Sequence, residues 1–438
     1  MTPSSPLLAA LALAAACTAP LAIAEVSGSK PDDPKPESVA DPELAPRDLL
    51  FFEIGWSTPH AGYVADHPDR FRARDFDGIA ITPTGDGFHR GANEFPIVFD
   101  DRRWTEANVG MSDMERLDLD AAGIPFSMIP LQADVIDAEV PDPAGYFDDA
   151  RWETIDHNLR LLSRAAAAAG MVGFFFDTEP YVSDPFTYAS ERYPGKSREQ
   201  VKQKVRERYR TFIEALQSEL PGMRLVMIFG LGADVIVGDP DSLMPALYDG
   251  MLDGIAPGTQ IVDGNENGYY NVAPETLHRF RRAQFEAHTL LDEEHRALYV
   301  ERRRRAHGFY TDLFTDSDYF AGEPFFNTML PCFVEPEDRP AFTEASLYNH
   351  ARQADDFVWT WTETHDWWRP EGERTTRAKD DVPQMMLDAL ASVKRHVREG
   401  TRPEPIHRIL AEAQARRQAH LREKEDREAR EARAAGGA

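Results

Sequence analysis

The sequence predicts an α/β fold, a (β/α)8 TIM barrel with loop insertions, and three observations predict it. Short runs rich in Phe, Ile, Val and Leu recur along the chain, with helical patterns between several of them. The runs are continuous rather than alternating, which suits strands covered on both faces in a parallel sheet. Eight of them fall within about 350 residues, as a closed barrel requires. They are Leu49–Trp56, Gly78–Thr82, Ile124–Pro130, Val172–Asp177, Arg224–Phe229, Thr259–Asp263, Phe325–Leu330 and Phe357–Trp361. A doubly wound open sheet would place a Gly-rich phosphate turn after its first strand, where this chain has Trp56-Ser57-Thr58-Pro59-His60. Phe229-Gly230-Leu231-Gly232 is a lone Gly-x-Gly and reads as a turn.

Three helices stand out. From about Asp149 to Ala169 the apolar residues Trp152, Ile155, Leu159, Leu162 and Ala166 fall at spacings of three and four, and Gly170 stops the helix. A second runs from Ser197 through Phe212 and Leu216 until Pro221-Gly222 breaks it. A third, long and basic, is expected over roughly Pro274 to His307.

The chain of 438 residues is 42% hydrophobic and 10% aromatic, enough for a real core. Its formal net charge of −27 argues against nucleic acid or an anionic membrane as partner, and points to a monomer with an acidic surface. Only Cys17 and Cys332 occur, so neither a disulfide framework nor a cysteine-rich metal module is available. Residues 1–24 read as a signal peptide, with an uncharged apolar run ending at Ala22-Ile23-Ala24, too short for a comfortable membrane span. A secreted or periplasmic protein is expected; the alternative is a lipoprotein anchored at Cys17, after Ala14-Ala15-Ala16. Residues 25–47 are a polar, Pro-rich linker, and 48–400 hold the barrel. Residues 401–438 form a charged tail, a solvated helix held by i,i+4 ion pairs with almost no apolar stripe.

In a barrel the reacting groups gather where the strands end at their C-terminal side. The fourth run, Gly173-Phe174-Phe175-Phe176, ends in Asp177-Thr178-Glu179-Pro180-Tyr181. Asp177 and Glu179 are two apart, hence on one face of an extended chain. Burial and a like-charged neighbour raise a carboxyl pKa, as a general acid at neutral pH needs. The eighth run, Phe357-Val358-Trp359-Thr360-Trp361, leads into Glu363, His365, Asp366, Trp367 and Trp368. Four of the seven tryptophans lie within ten residues, and indole faces stack on sugar rings while acids and histidines take hydroxyls. The sixth run ends in Asp263-Gly264-Asn265-Glu266-Asn267-Gly268-Tyr269-Tyr270, either site or turn chemistry. Trp56 and His60 follow the first run, and Glu53 sits inside it, read as a buried partner of an arginine. Metal-binding patterns such as His-Glu-x-x-His are absent, as is the Gly-x-Ser-x-Gly elbow of serine hydrolases, so neither a metal nor a cofactor is expected.

Asp177-Thr178-Glu179-Pro180-Tyr181 and Trp361-Thr362-Glu363 resemble the acid-bearing strand ends of glycoside-hydrolase TIM barrels. In the retaining-glycosidase clan a glutamate on the fourth strand usually follows an asparagine, where this chain has Thr178, and the nucleophile ends the seventh strand, whereas Glu363 ends the eighth run. Asp-x-Glu also resembles the chitinase-like barrels, in which the Glu is the acid and the Asp steers the substrate. The resemblance implies hydrolysis of a poly- or oligosaccharide, with Glu179 as acid, Glu363 as nucleophile or base, and Asp177 as orienting group. Trp56, Tyr181, Tyr269 and Trp361 would then wall the substrate, with Asn265, Glu266 and His365 reaching its hydroxyls; Glu266 is the alternative second carboxylate. The competing reading is a secreted barrel that binds carbohydrate without cutting it.

Overall fold

The computed structural model describes residues 46–85, 93–135, 142–316 and 326–436. The expected signal peptide, Cys17 included, and residues 25–45 of the linker lie outside them. No helix among the described residues is long and apolar enough to cross a membrane.

Nine strand segments make eight staves. They are β1 (Leu50–Gly55), β2 (Gly78–Ile79), β3 (Met128–Gln132), β4 (Gly173–Asp177), β5 (Arg224–Met227), β6 (Gln260–Asp263), β7 (Arg303–Arg305), β8 (Gly308–Tyr310) and β9 (Phe357–Thr362). One parallel sheet has the order β2-β1-β9-β8 and the other β3-β4-β5-β6-β7. A parallel bridge from Ala80 to Met128 joins β2 to β3. At the other seam, β7 and β8 are two halves of one stave. Ala306 N donates to Asp263 O at 2.9 Å on one side, and Trp359 N to His307 O at 3.2 Å on the other. The ring therefore closes as a (β/α)8 barrel, with no edge left open.

The apolar runs fill its interior. Phe52 of β1 stacks on Phe175 of β4, centroids 5.4 Å apart and planes within 2°, and Trp359 of β9 meets Phe175 edge-on at 5.0 Å. These fully buried rings form the floor beneath the mouth. Gly308 is required there: a Cβ would stand 2.6 Å from the ring of Tyr269 and 2.7 Å from that of Trp359. The helix Asp149–Ala168 starts where the Asp148 carboxylate accepts Arg151 N, and Gly170, at φ 68°, ends it. Helix Arg198–Leu216 opens with a Ser197/Gln200 capping box.

The seventh stave corrects the sequence reading. Phe326–Thr328 and Leu330–Phe333 are 3₁₀ turns, not a strand, and the expected helix over 274–307 ends as Pro274–Glu286 and Glu293–Arg302. The stave begins at Arg303-Arg304-Arg305, three residues that no hydrophobicity pattern marks as strand. Their stems lie against the barrel while the guanidinium groups find outside partners: Arg305 pairs with Asp355 at 2.6 Å, and Arg303 lies over the ring of Phe285. The C-terminal helix His407–Gly436 carries a short apolar stripe after all, since Ile409 and Ala413 are buried and Arg416 Nε donates to Phe333 O at 2.7 Å.

Candidate active site

The mouth is built by the residues that follow the inward-facing positions of the strands. Asp177 continues the face of Phe175, and Trp361 and Glu363 continue that of Trp359. Asp177 is buried and accepts three hydrogen bonds, from Gln132 Nε2 at 2.9 Å, Asn93 Nδ2 at 3.0 Å and the Glu179 backbone N–H at 2.8 Å. That last bond closes a tight turn just past the strand, where Glu179 is half-buried. Tyr181 donates its hydroxyl to Glu179 Oε2, and Asn93 Nδ2 reaches Tyr181 OH at 3.1 Å. Trp56 stands behind Asn93, donating Nε1 to its Oδ1 at 3.3 Å.

Across the mouth Glu363 is held differently. Trp361 Nε1 donates to Glu363 Oε1 at 3.1 Å. The backbone behind the carboxylate hangs from Asp312, which accepts Glu363 N at 2.8 Å, Thr364 N at 2.9 Å, the Thr364 hydroxyl, and His365 Nδ1 at 2.9 Å. Asp312 is fully buried yet held below the usual carboxylate range, because His365 and these donors outweigh its burial.

The electrostatics bring the named acids together. Burial pushes the Asp177 carboxyl well up, with the charge of Glu179 next in effect, and burial raises Glu179 as well. Glu363 is pushed up to about 7, first by burial, then by the charge of Asp312, and also by that of Glu179. The negative charges of Asp177, Glu179 and Glu266 all raise the phenol of Tyr181, after its burial. Burial and then Glu266 raise that of Tyr269, with Glu179 contributing. Glu179 and Glu266 thus act on both phenols, and Glu179 acts on Glu363. Tyr310, at the end of β8, joins them: its hydroxyl hydrogen-bonds Glu363.

Two expected substrate contacts are corrected. Asn265, at φ 46°, turns its amide inward to His307, with Nδ2 and Nδ1 2.7 Å apart. His365 is buried on Asp312 and anchors the Glu363 loop instead of reaching the mouth. Trp367 and Trp368 pack into the core against Phe76 and Phe71, with centroids 4.7 and 4.9 Å apart. Trp56 has the guanidinium of Arg377 over its ring at 5.1 Å. Glu53 is fully buried and raised well above its ordinary value by burial and then Asp366, with Arg369 the cation acting on it.

Sequence reasoning missed Asn93, Gln132, Tyr310 and Asp312. Gln132 could have been found by extending the third run two residues past Pro130. Tyr310 and Asp312 lay hidden by the misplaced seventh strand, and Asn93 carries no sequence signal. A group that could chelate a cation, Asp249, Asp292 and His295, lies away from the mouth. There Arg206 pairs with Asp292 at 2.8 Å and His295 bridges Asp249 and Asp253, so an ion-pair network already uses these groups.

Fold and mouth together define a (β/α)8 barrel with carboxyl groups where its strands end. No protein-family model matches the chain, and no curated protein does. Solved structures similar to it include a β-1,4-mannanase from the common sea hare Aplysia kurodai, with 12% identity over 82% of this chain and 96% of that one, at a TM-score of 0.43. A GH5-4 broad specificity endoglucanase from Bacteroides salanitronis has 10% identity over 81% and 96%, at 0.43. A 3-keto-D-glucoside 4-epimerase from E. coli has 11% over 80% and 100%, at 0.37. Likeness at this level does not extend to the reaction.

Proposed function

We propose that the protein is an exported glycoside hydrolase that cleaves a poly- or oligosaccharide with Glu179 and Glu363. The observation that supports this reading is that two half-buried carboxyls follow the ends of opposite staves, β4 and β9, each accepting a hydrogen bond from an aromatic side chain. Burial raises both carboxyls and the charge of Glu179 raises Asp177 further, which favours one proton kept by the pair. Burial raises Asp177 further than Glu179, but three donors favour the ionised form of Asp177 against one on Glu179, and on that count we place the proton on Glu179. A protonated Glu179 gives that proton to the leaving glycosidic oxygen. Glu363, ionised above about 7, attacks the anomeric carbon or takes a proton from water. Tyr181 and Trp361 wall the sugar ring, with the buried Tyr269 and Tyr310 packed behind them.

The test is reducing-end release from a polysaccharide panel by the purified chain, run beside isothermal titration against the same glycans. Release from at least one glycan is expected. Binding without release would make the barrel a carbohydrate binder.

A further inference from the structure

A small open cleft of about 80 Å³ adjoins this mouth on the β1–β2 side. Its character is opposite to that of the acid-lined half. Arg369, Arg377, Thr58, Thr375 and Thr376 line it, with Asn93 forming its boundary toward Asp177 and Tyr181. Arg369 has a side chain only 9% exposed, and its Nη1 donates to Ser57 O at 3.0 Å and Asp366 Oδ2 at 3.1 Å. Those bonds fix the guanidinium, while its Nε and Nη2 hydrogen-bond nothing among the described residues. Arg377 is held over the face of Trp56. The hydroxyls of Thr58 and Thr375 already accept backbone N–H groups, from Gly55 at 3.2 Å and Ala378 at 3.0 Å, so each has its own hydrogen left to donate. Glu94 is the one carboxylate among the lining residues. A wall that mostly donates fits a ligand group that only accepts, and two guanidinium groups suit a carboxylate or sulfate. In a chain of net charge −27 such a wall is not what the average surface supplies.

We propose that this cleft is a subsite for an anionic substituent, the carboxylate or sulfate of a charged sugar ring in the same glycan that lies over Glu179 and Glu363. The inference deepens the proposed function: the natural substrate is an acidic polysaccharide, positioned by its charge beside the bond to be cut. Asn93 links the two halves, since it borders the cleft and its amide also holds Asp177 and Tyr181.

The test measures binding in a Glu179→Gln background, where turnover does not interfere. Glucuronate- and galacturonate-containing oligosaccharides are titrated against their carboxyl-reduced counterparts, and sulfated galactan oligosaccharides against desulfated ones. At least one charged form is expected to bind about tenfold tighter than its neutral partner, a difference that salt weakens. The carboxylate and sulfate arms identify which group is read. Adding Arg377→Gln or Thr376→Val, both in a surface segment, should bring the preference down, to within about twofold for Arg377→Gln. Equal affinity for charged and neutral forms, no binding of any charged form, or a preference that survives Arg377→Gln overturns the subsite. Hydrolysis of neutral glycans without a charge preference would sink the subsite and leave the proposed function standing. A charge preference in a wild-type protein that cuts nothing would do the reverse.

Discussion

Staves β4 and β9 both end in an acid that faces the mouth, but the two acids are supported in opposite ways. At β4 the supports are neutral donors, the amides of Gln132 and Asn93 and the phenol of Tyr181, and a second carboxyl shares the space. At β9 a buried anion, Asp312, holds the Glu363 backbone, and its charge raises the Glu363 carboxyl against the donors Trp361 and Tyr310. Neutral donors beside a carboxyl pair settle which member keeps the proton, whereas a fixed anion behind a single carboxyl sets the pH at which it ionises. On the function proposed above, the first arrangement keeps a proton for donation, while the second raises the pH above which Glu363 is ionised.

The comparison breaks most visibly at Glu363. Glu363→Gln should lower kcat by about a thousandfold with little change in glycan affinity, by initial-rate kinetics beside titration. Gln132→Met removes a donor from Asp177, lets the shared proton move toward Asp177 and should cost about ten- to a hundredfold in kcat. Retention of full activity would show that Asp177 does not govern Glu179.

A stability measurement sharpens the β9 side. The folded-state pKa of Glu363 is raised, to about 7, so its neutral form contributes stability at acidic pH that is lost as pH rises from the ordinary carboxyl value through about 7. Glu363→Gln should therefore match wild type near pH 4.5 and exceed it at pH 8, by on the order of 2 kcal/mol, read as a Tm several degrees higher. The smallest effect is expected from Trp361→Phe. Losing the indole donor leaves Glu363 harder to ionise, so the acidic limb of the pH–rate profile should move up by about half a unit.

How far the sequence carried the reading depended on what each element buries. Gly173–Asp177 and Phe357–Thr362 were legible because both faces of these strands are covered, so an apolar run marks them. The seventh stave was not, because Arg303, Arg304 and Arg305 satisfy the barrel with their stems and the solvent side with their charges. Its loss hid Tyr310 and Asp312, and with them the reason His365 sits beside Glu363. His365 was read as a substrate contact because the sequence placed it near an acid; the acid that holds it lies 53 positions earlier. Asn265 misled similarly, since its left-handed turn points the amide into the barrel wall. Glu179 and Glu363 stood out in the sequence for the opposite reason: each closely follows a buried aromatic strand, which is where the structure places them.

The most direct test is Glu179→Gln, assayed for turnover and binding on the same glycan. The account predicts that turnover falls by about a thousandfold or more while affinity and Tm stay near wild type. Wild-type rates in that variant would contradict the role given to Glu179, and with it the pairing of the two acids across the mouth.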